Sequence, residues 1–372
     1  MLPMWVADMD FRSPPCVVEA LTARIQHGVF GYTKPSAGLT EATLQYLLEH
    51  HRWHVEAEWL VWLNGLVPAL NLACCAAGNP GDGVLVPTPV YTPFVLAPRN
   101  SKRTLVSLPL LPPEHNDSEW QLDWAAMRAA VASPSQSAGG GKPVAFLLCN
   151  PHNPTGHCWS ENTLRELGQF CVEHELLLCS DEVHADLILD PSVQHVPVAS
   201  LSPEIANTTI SLFAASKTYN TPGLCCAYAV IPSPKIRSRF RRAMRGMLTE
   251  VSAPGFVATE AAYRAGEPWR LRLLSYLRGN RAALLEGIAA SPVLRTAIRV
   301  SPASATCECT PPRGVAASLL CFDCLVLCLR LVGCTDLAWI DIRGLEGLDS
   351  TGAEQLFRRH GVGVLSTDLA PV

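Results

Sequence analysis

The sequence predicts an α/β protein whose larger domain is a mostly parallel sheet covered by helices, with a smaller α+β domain beside it. Three observations lead to this class. The chain has 372 residues, of which 48% are hydrophobic and 17% charged, so it can build a large core and more than one domain. Short apolar runs alternate with stretches of helical periodicity. Three of the apolar runs end in polar clusters. Such clusters are typical of parallel strands, whose carboxyl ends form the ligand site of open α/β sheets.

The N-terminal part of the chain alternates predicted helices and strands. A helix is expected over residues 14–27, where two prolines precede a face formed by Val17, Val18, Leu21 and Ile25. A second helix is expected over 39–50. A strand follows that ends at Asn64-Gly65, and the next predicted elements are a helix over 66–78 and a strand over 82–91.

The middle of the chain carries the polar clusters. After a flexible connector, SPSQSAGGGK at 133–142, a buried strand runs into a turn over 143–156. The next elements are an amphipathic helix with Ser160 as its N-cap, and strands within 175–187 and 208–217. Residues 254–290 are predicted to be nearly continuous helix that leads into the second domain. We therefore expect a large domain over 31–253 and a small domain formed by 1–30 and 254–372.

Composition narrows the function classes. The net charge is −4 and no basic run is present, so a nucleic-acid partner is not expected. The N-terminus has neither a basic segment nor a long apolar one, and the fifteen cysteines are therefore expected to be free thiols of a cytoplasmic protein. No membrane association is expected. The eleven histidines show no HExxH or similar spacing, so no metal is predicted.

The strand ends bring together a lysine and a carboxylate. Asp181 follows one apolar strand and Lys217 follows the next. A lone lysine at such a place is usually a surface residue, and a lone aspartate is usually a helix N-cap. Together they match the needs of pyridoxal 5′-phosphate, whose aldehyde binds a lysine amine and whose pyridine nitrogen needs an acidic partner to stay protonated. The pair therefore favours this cofactor.

Other residues suit the same ligand. Asn153, in NPHNPTG, has a side-chain amide that can donate to a phenolate oxygen, although Asn-Pro also simply makes turns. Tyr91 follows a strand and can lay its ring on the pyridine face, or be a core aromatic. Leu66 and Val67 lie where a strand turns into a helix, so their amides can bind a phosphate.

The segments that carry these residues resemble a known family. LPMWVADMDF, HGVFGYT, LLCNPHNPTG, SDEVHADL and ASKTYNTPGL occur in the order typical of one branch of the fold-type I pyridoxal-phosphate enzymes, the class I and II aminotransferase superfamily. The branch is that of the cystathionine β-lyases and cysteine-S-conjugate β-lyases, the MalY and PatB type. The resemblance covers about residues 2–301 and again 336–365.

The resemblance implies a role for each candidate residue. Lys217 would hold the cofactor and then act as the catalytic base, Asp181 would pair with the pyridine nitrogen, and Tyr91 would stack on the ring. Asn153 would contact the phenolic oxygen, and His184 would lie near the cofactor. The amides of Leu66 and Val67 and the hydroxyl of Ser216 would hold the phosphate, and Tyr32 would reach the phosphate of the other subunit, which implies a homodimer.

The same resemblance implies the activity. It predicts a carbon–sulfur β-lyase that cleaves cystathionine or a related cysteine S-conjugate, an amino-acid substrate, to a thiol, pyruvate and ammonia. An aminotransferase would use the same residues and is the first alternative. The second alternative is a catalytically impaired fragment, because the family's C-terminal strand carries an arginine that clamps the substrate carboxylate and the sequence ends at TDLAPV without one. We accordingly expect a chain truncated at both ends, with slow turnover.

One segment departs from the family pattern. Residues 307–335 hold six of the fifteen cysteines and interrupt an expected strand between SPASAT and DLAWIDIRG. A zinc site would need two well-spaced ligand pairs, and a membrane span would not hold Asp323 and Arg330. We favour an artefactual or poorly ordered insertion.

Overall fold

The structure is a computed structural model that describes residues 8–113, 119–132 and 141–290, together with three short strands and residues 355 and 359 nearer the C-terminus. Most of the predicted connector at 133–142, most of the insertion at 307–335 and the start of LPMWVADMDF lie outside the described residues. The C-terminal segment for which a truncation is expected also lies outside them, apart from one strand.

The helices follow the predicted order closely. They are α1 Pro15–His27, α2 Ala37–His51, α3 Leu66–Ala76, α4 Thr92–Asn100, α5 Trp124–Ala132, α6 Glu161–Glu173, α7 Pro203–Ala206, α8 Pro234–Met244, α9 Ala253–Ala265 and α10 Glu267–Ala290. The hydroxyl of Ser160 accepts from the Thr163 N–H at 3.2 Å, so it caps α6 as predicted. Ser36 caps α2 in the same way, through the Leu39 N–H at 2.8 Å.

The predicted continuous helix over 254–290 is two helices. α9 ends at Gly266, whose N–H donates to the Ala262 carbonyl at 2.8 Å, and Pro268 lies in the first turn of α10. A Cβ at position 266 would collide with the Ala262 carbonyl and the ring of Tyr219. Close packing against Tyr219 therefore requires glycine here, and the helix breaks at that point.

The main sheet has seven strands. They are β1 Leu60–Leu63, β2 Gly83–Thr88, β3 Thr104–Pro109, β4 Pro143–Cys149, β5 Leu177–Asp181, β6 Thr209–Phe213 and β7 Ala227–Val230. Their spatial order is β1-β7-β6-β5-β4-β2-β3. The pairs from β3 to β6 are parallel, whereas β7 is antiparallel to both of its neighbours. The mostly parallel α/β class is confirmed, and the antiparallel β7 follows from a connection without a crossover helix.

Helices cover both faces of this sheet, as predicted. On one face α3, α4 and α8 pack on the strands through a cluster that includes Leu70, Phe94 and Phe240. On the other face α5 and α6 pack through Met127 and Leu164. Burial on both sides explains why the central strands are uninterrupted apolar runs. The structure adds six elements of the main domain to the predicted ones: β3, α4, α5, α7, α8 and β7. In α4 the prolines interrupt the helical periodicity of the sequence.

A second, small sheet lies nearer the C-terminus. It consists of β8 Cys324–Leu327, β9 Ala338–Asp341 and β10 Leu365–Ser366, in the order β10-β8-β9 with antiparallel pairs. β8 falls inside the segment for which the sequence favours a poorly ordered insertion, and the rest of that segment is not described. The division into domains at 31–253 stays a prediction. Within the described part of the chain, no helix combines the length and apolarity needed to cross a membrane.

Candidate active site

The carboxyl ends of β4, β5 and β6 are joined beyond the strands themselves. The Asn150 N–H donates to the Asp181 carbonyl at 2.9 Å, and the Glu182 N–H donates to the Leu212 carbonyl at 2.9 Å. These bonds carry the sheet register past the ends of the strands. The polar clusters after each strand are therefore held side by side at one edge of the sheet, as the sequence predicts for its ligand site.

Asp181 is a buried carboxylate at the end of β5. Its side chain accepts from the Val183 N–H at 3.2 Å, and the residue is 6% exposed. Burial raises its pKa to about 7, an effect that the Val183 hydrogen bond and the charge of Lys217 offset only in part. A further cation close to Asp181 would therefore keep its carboxylate ionised.

Lys217 lies in the connection between β6 and β7 and is half-buried. Its positive charge lowers the pKa of both Asp181 and His184, so the three side chains lie close enough to interact electrostatically. The connection is a tight turn: the Tyr219 N–H donates to the Ala215 carbonyl at 2.9 Å. The lysine and the carboxylate thus lie at the same edge of the sheet, and their pairing through a cofactor stays a prediction.

Asn220 ties this turn to the N-terminal segment, a role that the sequence does not reveal. Its side-chain oxygen accepts from the Met9 N–H at 3.0 Å, and its amide donates to the carbonyls of Met9 and Phe11 at 2.9 and 2.8 Å. The Ser13 hydroxyl donates to the Asn220 carbonyl at 2.9 Å. Asn220 has a φ of 54°, a left-handed conformation that asparagine tolerates better than most residues. The only signal in the sequence is an asparagine within the turn YNTPG.

Tyr91 and Asn153 are neighbours in the structure. The Tyr91 N–H donates to the Asn153 carbonyl at 3.0 Å, and the Asn153 N–H points to the sulfur of Cys149 at 3.3 Å. Burial raises the pKa of the Tyr91 phenol, and the charge of Asp181 raises it further. The ring is nevertheless 45% exposed. Tyr91 is therefore close enough to Asp181 to feel its charge and exposed enough to contact a ligand.

The N-terminus of α3 faces outward without a side-chain cap. Gly65 is its N-cap residue, with extended backbone, and it has no side chain to accept from the first turn. Leu66 is half-buried and Val67 is exposed. α3 packs against β5 and β6, whose ends carry Asp181 and the turn of Lys217. Uncapped amides and the helix dipole at this end suit a phosphate group.

The remaining predicted residues are Ser216, His184 and Tyr32, of which only the first two lie near Lys217 within one chain. Ser216 and His184 are half-buried beside Lys217, and Ser216 accepts the Thr221 N–H at 2.9 Å through its carbonyl. Burial, together with the charge of Lys217, lowers the pKa of His184 to about 3, so this imidazole is neutral at ordinary pH. Tyr32 is fully exposed on the loop before α2, so within one chain the structure does not bring it into the site.

A polar cluster that is buried except at its edge includes Thr218, the residue after Lys217, and the sequence does not single it out. It consists of Asp186, His51, Thr218, Arg270 and Glu267, and we call it the Asp186 cluster. Nε2 of His51 lies 3.1 Å from Oδ1 of Asp186, and the Thr218 hydroxyl donates to Oδ2 at 3.4 Å. Two 2.7 Å bonds join Arg270 to Glu267. Asp186 is part of the segment DEVHADL, but its partners come from distant parts of the chain.

The side chains present fit pyridoxal phosphate. The site offers a lysine amine, a buried carboxylate whose pKa is raised to about 7, and amides without a side-chain cap at a helix N-terminus. These correspond to the aldehyde, the pyridine nitrogen and the phosphate of the cofactor. Among the described residues, no group of three or more His, Cys, Asp or Glu side chains is placed to hold a metal ion.

The phosphate assignment can be tested by removing one amide. In Leu66→Pro the first helical residue loses its N–H while α3 is preserved, because proline is favoured at this position and Gly65 before it is extended. We expect the affinity for pyridoxal phosphate to fall about tenfold or more, the usual worth of a hydrogen bond to a charged group. Leu66→Ala, which keeps the amide, is the control. Equal affinities for the two variants would contradict the assignment.

Comparisons with known proteins identify the family and support pyridoxal phosphate as its cofactor. A sequence model of the family "Aminotransferase class I and II" matches residues 2–299. Cystathionine beta-lyase PatB of Bacillus subtilis (strain 168) is 39% identical over 280 residues, which are 75% of this chain and 70% of that protein. The crystal structure of cystalysin from Treponema denticola, which contains a pyridoxal 5′-phosphate cofactor, is similar with a TM-score of 0.81 and 25% identity, over 98% of this chain and 82% of that one. The PLP-bound C-S lyase from Staphylococcus hominis is similar with a TM-score of 0.73 and 28% identity, over 82% and 73%.

Proposed function

The chain belongs to the aminotransferase class I and II family, and on this premise we propose that it is a pyridoxal-phosphate-dependent carbon–sulfur β-lyase. Its substrate is cystathionine or a related S-substituted cysteine, and its products are a thiol, pyruvate and ammonia. The relatives and solved structures named as cystathionine β-lyases and C-S lyases support this activity. Within the structure, the observation that carries the proposal is the buried carboxylate of Asp181 beside Lys217.

The cofactor supplies an aldehyde that bonds to amines and a ring that withdraws electrons from the adjacent carbon. Lys217 would hold that aldehyde, and its amine would take the proton from Cα of the substrate. Asp181 pairs with the pyridine nitrogen and keeps a proton there. Asn153 donates its amide to the phenolic oxygen, and Tyr91 covers one ring face.

Phosphate binding falls to the backbone and a hydroxyl. The amides of Leu66 and Val67 and the Ser216 hydroxyl hold the phosphate at the N-terminus of α3. His184 contributes a neutral imidazole, because its pKa is lowered to about 3 by burial and by the Lys217 charge. It therefore donates or accepts a hydrogen bond and adds no positive charge to the site.

A homodimer completes the proposed site. Tyr32 is fully exposed on a loop with Phe30, which is 58% exposed. Both line a cleft of about 620 Å³ together with Val251 and Pro254. Two large exposed aromatics beside a cleft suit a contact with a second copy, in which Tyr32 reaches the phosphate held by the partner. We also propose a cytoplasmic location and the division into a large domain over 31–253 and a small domain formed by the rest of the chain.

The activity is tested by the fate of cystathionine. With the cofactor-loaded chain, we expect pyruvate to form in the absence of any keto acid. Its rate should exceed that of a keto-acid-dependent amino product by at least about tenfold, which is about 1.4 kcal/mol in barrier. Coupled reduction of pyruvate follows the first reaction, and amino-acid analysis with added keto acids follows the second. A chain that makes only the keto-acid-dependent product is an aminotransferase, and this result would refute the lyase.

A further inference from the structure

Lys217 can take a proton from the substrate only if its amine is held in one place, and its side chain offers four rotatable bonds. The two residues that follow Lys217 are held by contacts with other parts of the chain. Thr218 and Tyr219 are both fully buried, and each makes a side-chain hydrogen bond outside its own turn. The backbone of Lys217 is therefore anchored from its C-terminal side.

The anchor of Thr218 is the carboxylate of Asp186. The Thr218 hydroxyl donates to Oδ2 of Asp186 at 3.4 Å, while Nε2 of His51 lies 3.1 Å from Oδ1. Arg270 donates to the main-chain carbonyl of Asp186 at 2.9 Å, and this arginine is held in turn by Glu267. Both carboxylate oxygens and the main-chain carbonyl of Asp186 therefore have partners, and these contacts restrict the movement of its side chain.

The charge of Asp186 is fixed as well. Its side chain is 9% exposed, and burial alone would raise its pKa. The hydrogen bond and charge of His51, with the charges of Arg270 and His50, instead hold the pKa well below its usual range. An ionised carboxylate accepts a stronger hydrogen bond than a neutral one. The Thr218 hydroxyl therefore has a permanent acceptor.

Tyr219 makes the corresponding contact on its own side. Its hydroxyl donates to the Tyr46 hydroxyl at 3.2 Å, and the Tyr46 ring is stacked between His50 and Tyr263, each at 4.1 Å between ring centroids. His51 and Tyr46 both belong to α2, so one helix supports both anchors. The turn after Lys217 is consequently fastened to α2 at two successive residues.

We propose that Asp186, held by His51 and Arg270, is a positioning residue that orients Lys217 toward the cofactor through the hydroxyl of Thr218. The inference rests on the proposed function, because it assigns to Lys217 the bond with pyridoxal phosphate. The contact between the Thr218 hydroxyl and the Asp186 carboxylate, next to Lys217 in the chain, sets the direction of the lysine amine. Removing the contact misplaces the amine without removing any group that touches the cofactor.

Thr218→Val is the direct test, because valine has nearly the same shape and lacks the hydroxyl. With pyridoxal phosphate alone, we expect the rate at which a borohydride-reducible bond forms at Lys217 to fall about tenfold, since small misplacements of a reacting group cost large factors in rate. The visible circular dichroism of the bound cofactor should change, because it reports the orientation of the ring. Thr218→Ser keeps the hydroxyl and should restore both readouts to within about twofold of the wild type.

Thr43→Val is the matched control. Thr43 is also fully buried, and its hydroxyl donates only within α2, to the Leu39 carbonyl at 2.8 Å. This variant should leave bond formation and dichroism unchanged. Asp186→Asn, alone and combined with Thr218→Val, tests the path of the effect: if Asp186 acts through Thr218, the double variant should be little slower than the slower single variant.

The outcomes separate the two proposals. A wild-type chain that forms no reducible bond at Lys217 would overturn the proposed function and this inference with it. A wild-type chain that forms the bond, with Thr218→Val forming it equally fast and with the same dichroism, would overturn the inference alone. A Thr218→Val variant that only melts at a lower temperature would also overturn it, because that result would assign the contact a purely structural role.

Discussion

Replacing Lys217 by alanine is expected to abolish the reducible covalent adduct with pyridoxal phosphate and to lower β-elimination by at least about 10³-fold. The loss is large because one side chain does two tasks. It holds the cofactor aldehyde, and it moves the proton at Cα, a task worth about 10² to 10⁴ in rate. Borohydride trapping followed by peptide mapping measures the adduct, and pyruvate formation measures the rate.

The other lysines make this prediction specific. Lys34, Lys102, Lys142 and Lys235 are all exposed, whereas Lys217 is half-buried beside a buried carboxylate. Lys142→Ala is therefore the matched control and should keep both the adduct and the activity. Label recovered on Lys34 or Lys142 in the wild-type chain would contradict the assignment.

Replacing Asp181 by asparagine is expected to leave the covalent bond with Lys217 able to form while slowing removal of the Cα proton about a hundredfold or more. Asparagine keeps the shape and the acceptor for the Val183 N–H but cannot hold a proton on the pyridine nitrogen. Losing a buried charge partner of this kind typically costs several kcal/mol in the transition state. Exchange of the Cα proton for deuterium in the bound substrate measures the step directly, and an unchanged rate of exchange in Asp181→Asn would refute the pairing.

The same variant has a second expected effect, on the chain without cofactor. The pKa of Asp181 is about 7 in the folded protein and about 3.9 in an unfolded chain, so its contribution to stability is full below pH 4 and is lost as the pH rises through 7. Asparagine carries no such ionisation. We expect cofactor-free Asp181→Asn to gain about 2 to 4 kcal/mol over the wild type between pH 4 and pH 8. Urea unfolding at both pH values measures the gain, and an equal difference at both would contradict the raised pKa.

The sequence by itself determines the α/β class of this protein and the central strands of its sheet. Apolar strands alternate with amphipathic helices, and polar clusters follow three strands, so a site at the carboxyl edge can be predicted before any contact is known. Asp181 and Lys217 follow strands that turn out to be neighbours, β5 and β6. The sequence pattern is sufficient here because hydrophobic periodicity and the ends of strands are properties of short segments of the chain.

Other features depend on contacts between distant segments. β7 runs antiparallel to β6 after a connection without a crossover helix, and the ring of Tyr219 packs so closely on Gly266 that no side chain fits there. The link from Asn220 to Met9 joins residues that are 211 positions apart in the chain. No periodicity encodes these features, because each depends on which surfaces meet.

The Asp186 cluster shows the physical reason most clearly. Asp186, His51 and Arg270 lie far apart in the chain, and each alone would be an ordinary surface charge or a partly buried polar residue. Folding buries Asp186 and His51 and most of Arg270, and buried polar groups are tolerated only when they are paired. The sequence therefore determined where the lysine and its carboxylate lie, while the tertiary structure alone decided which polar groups pack behind the lysine.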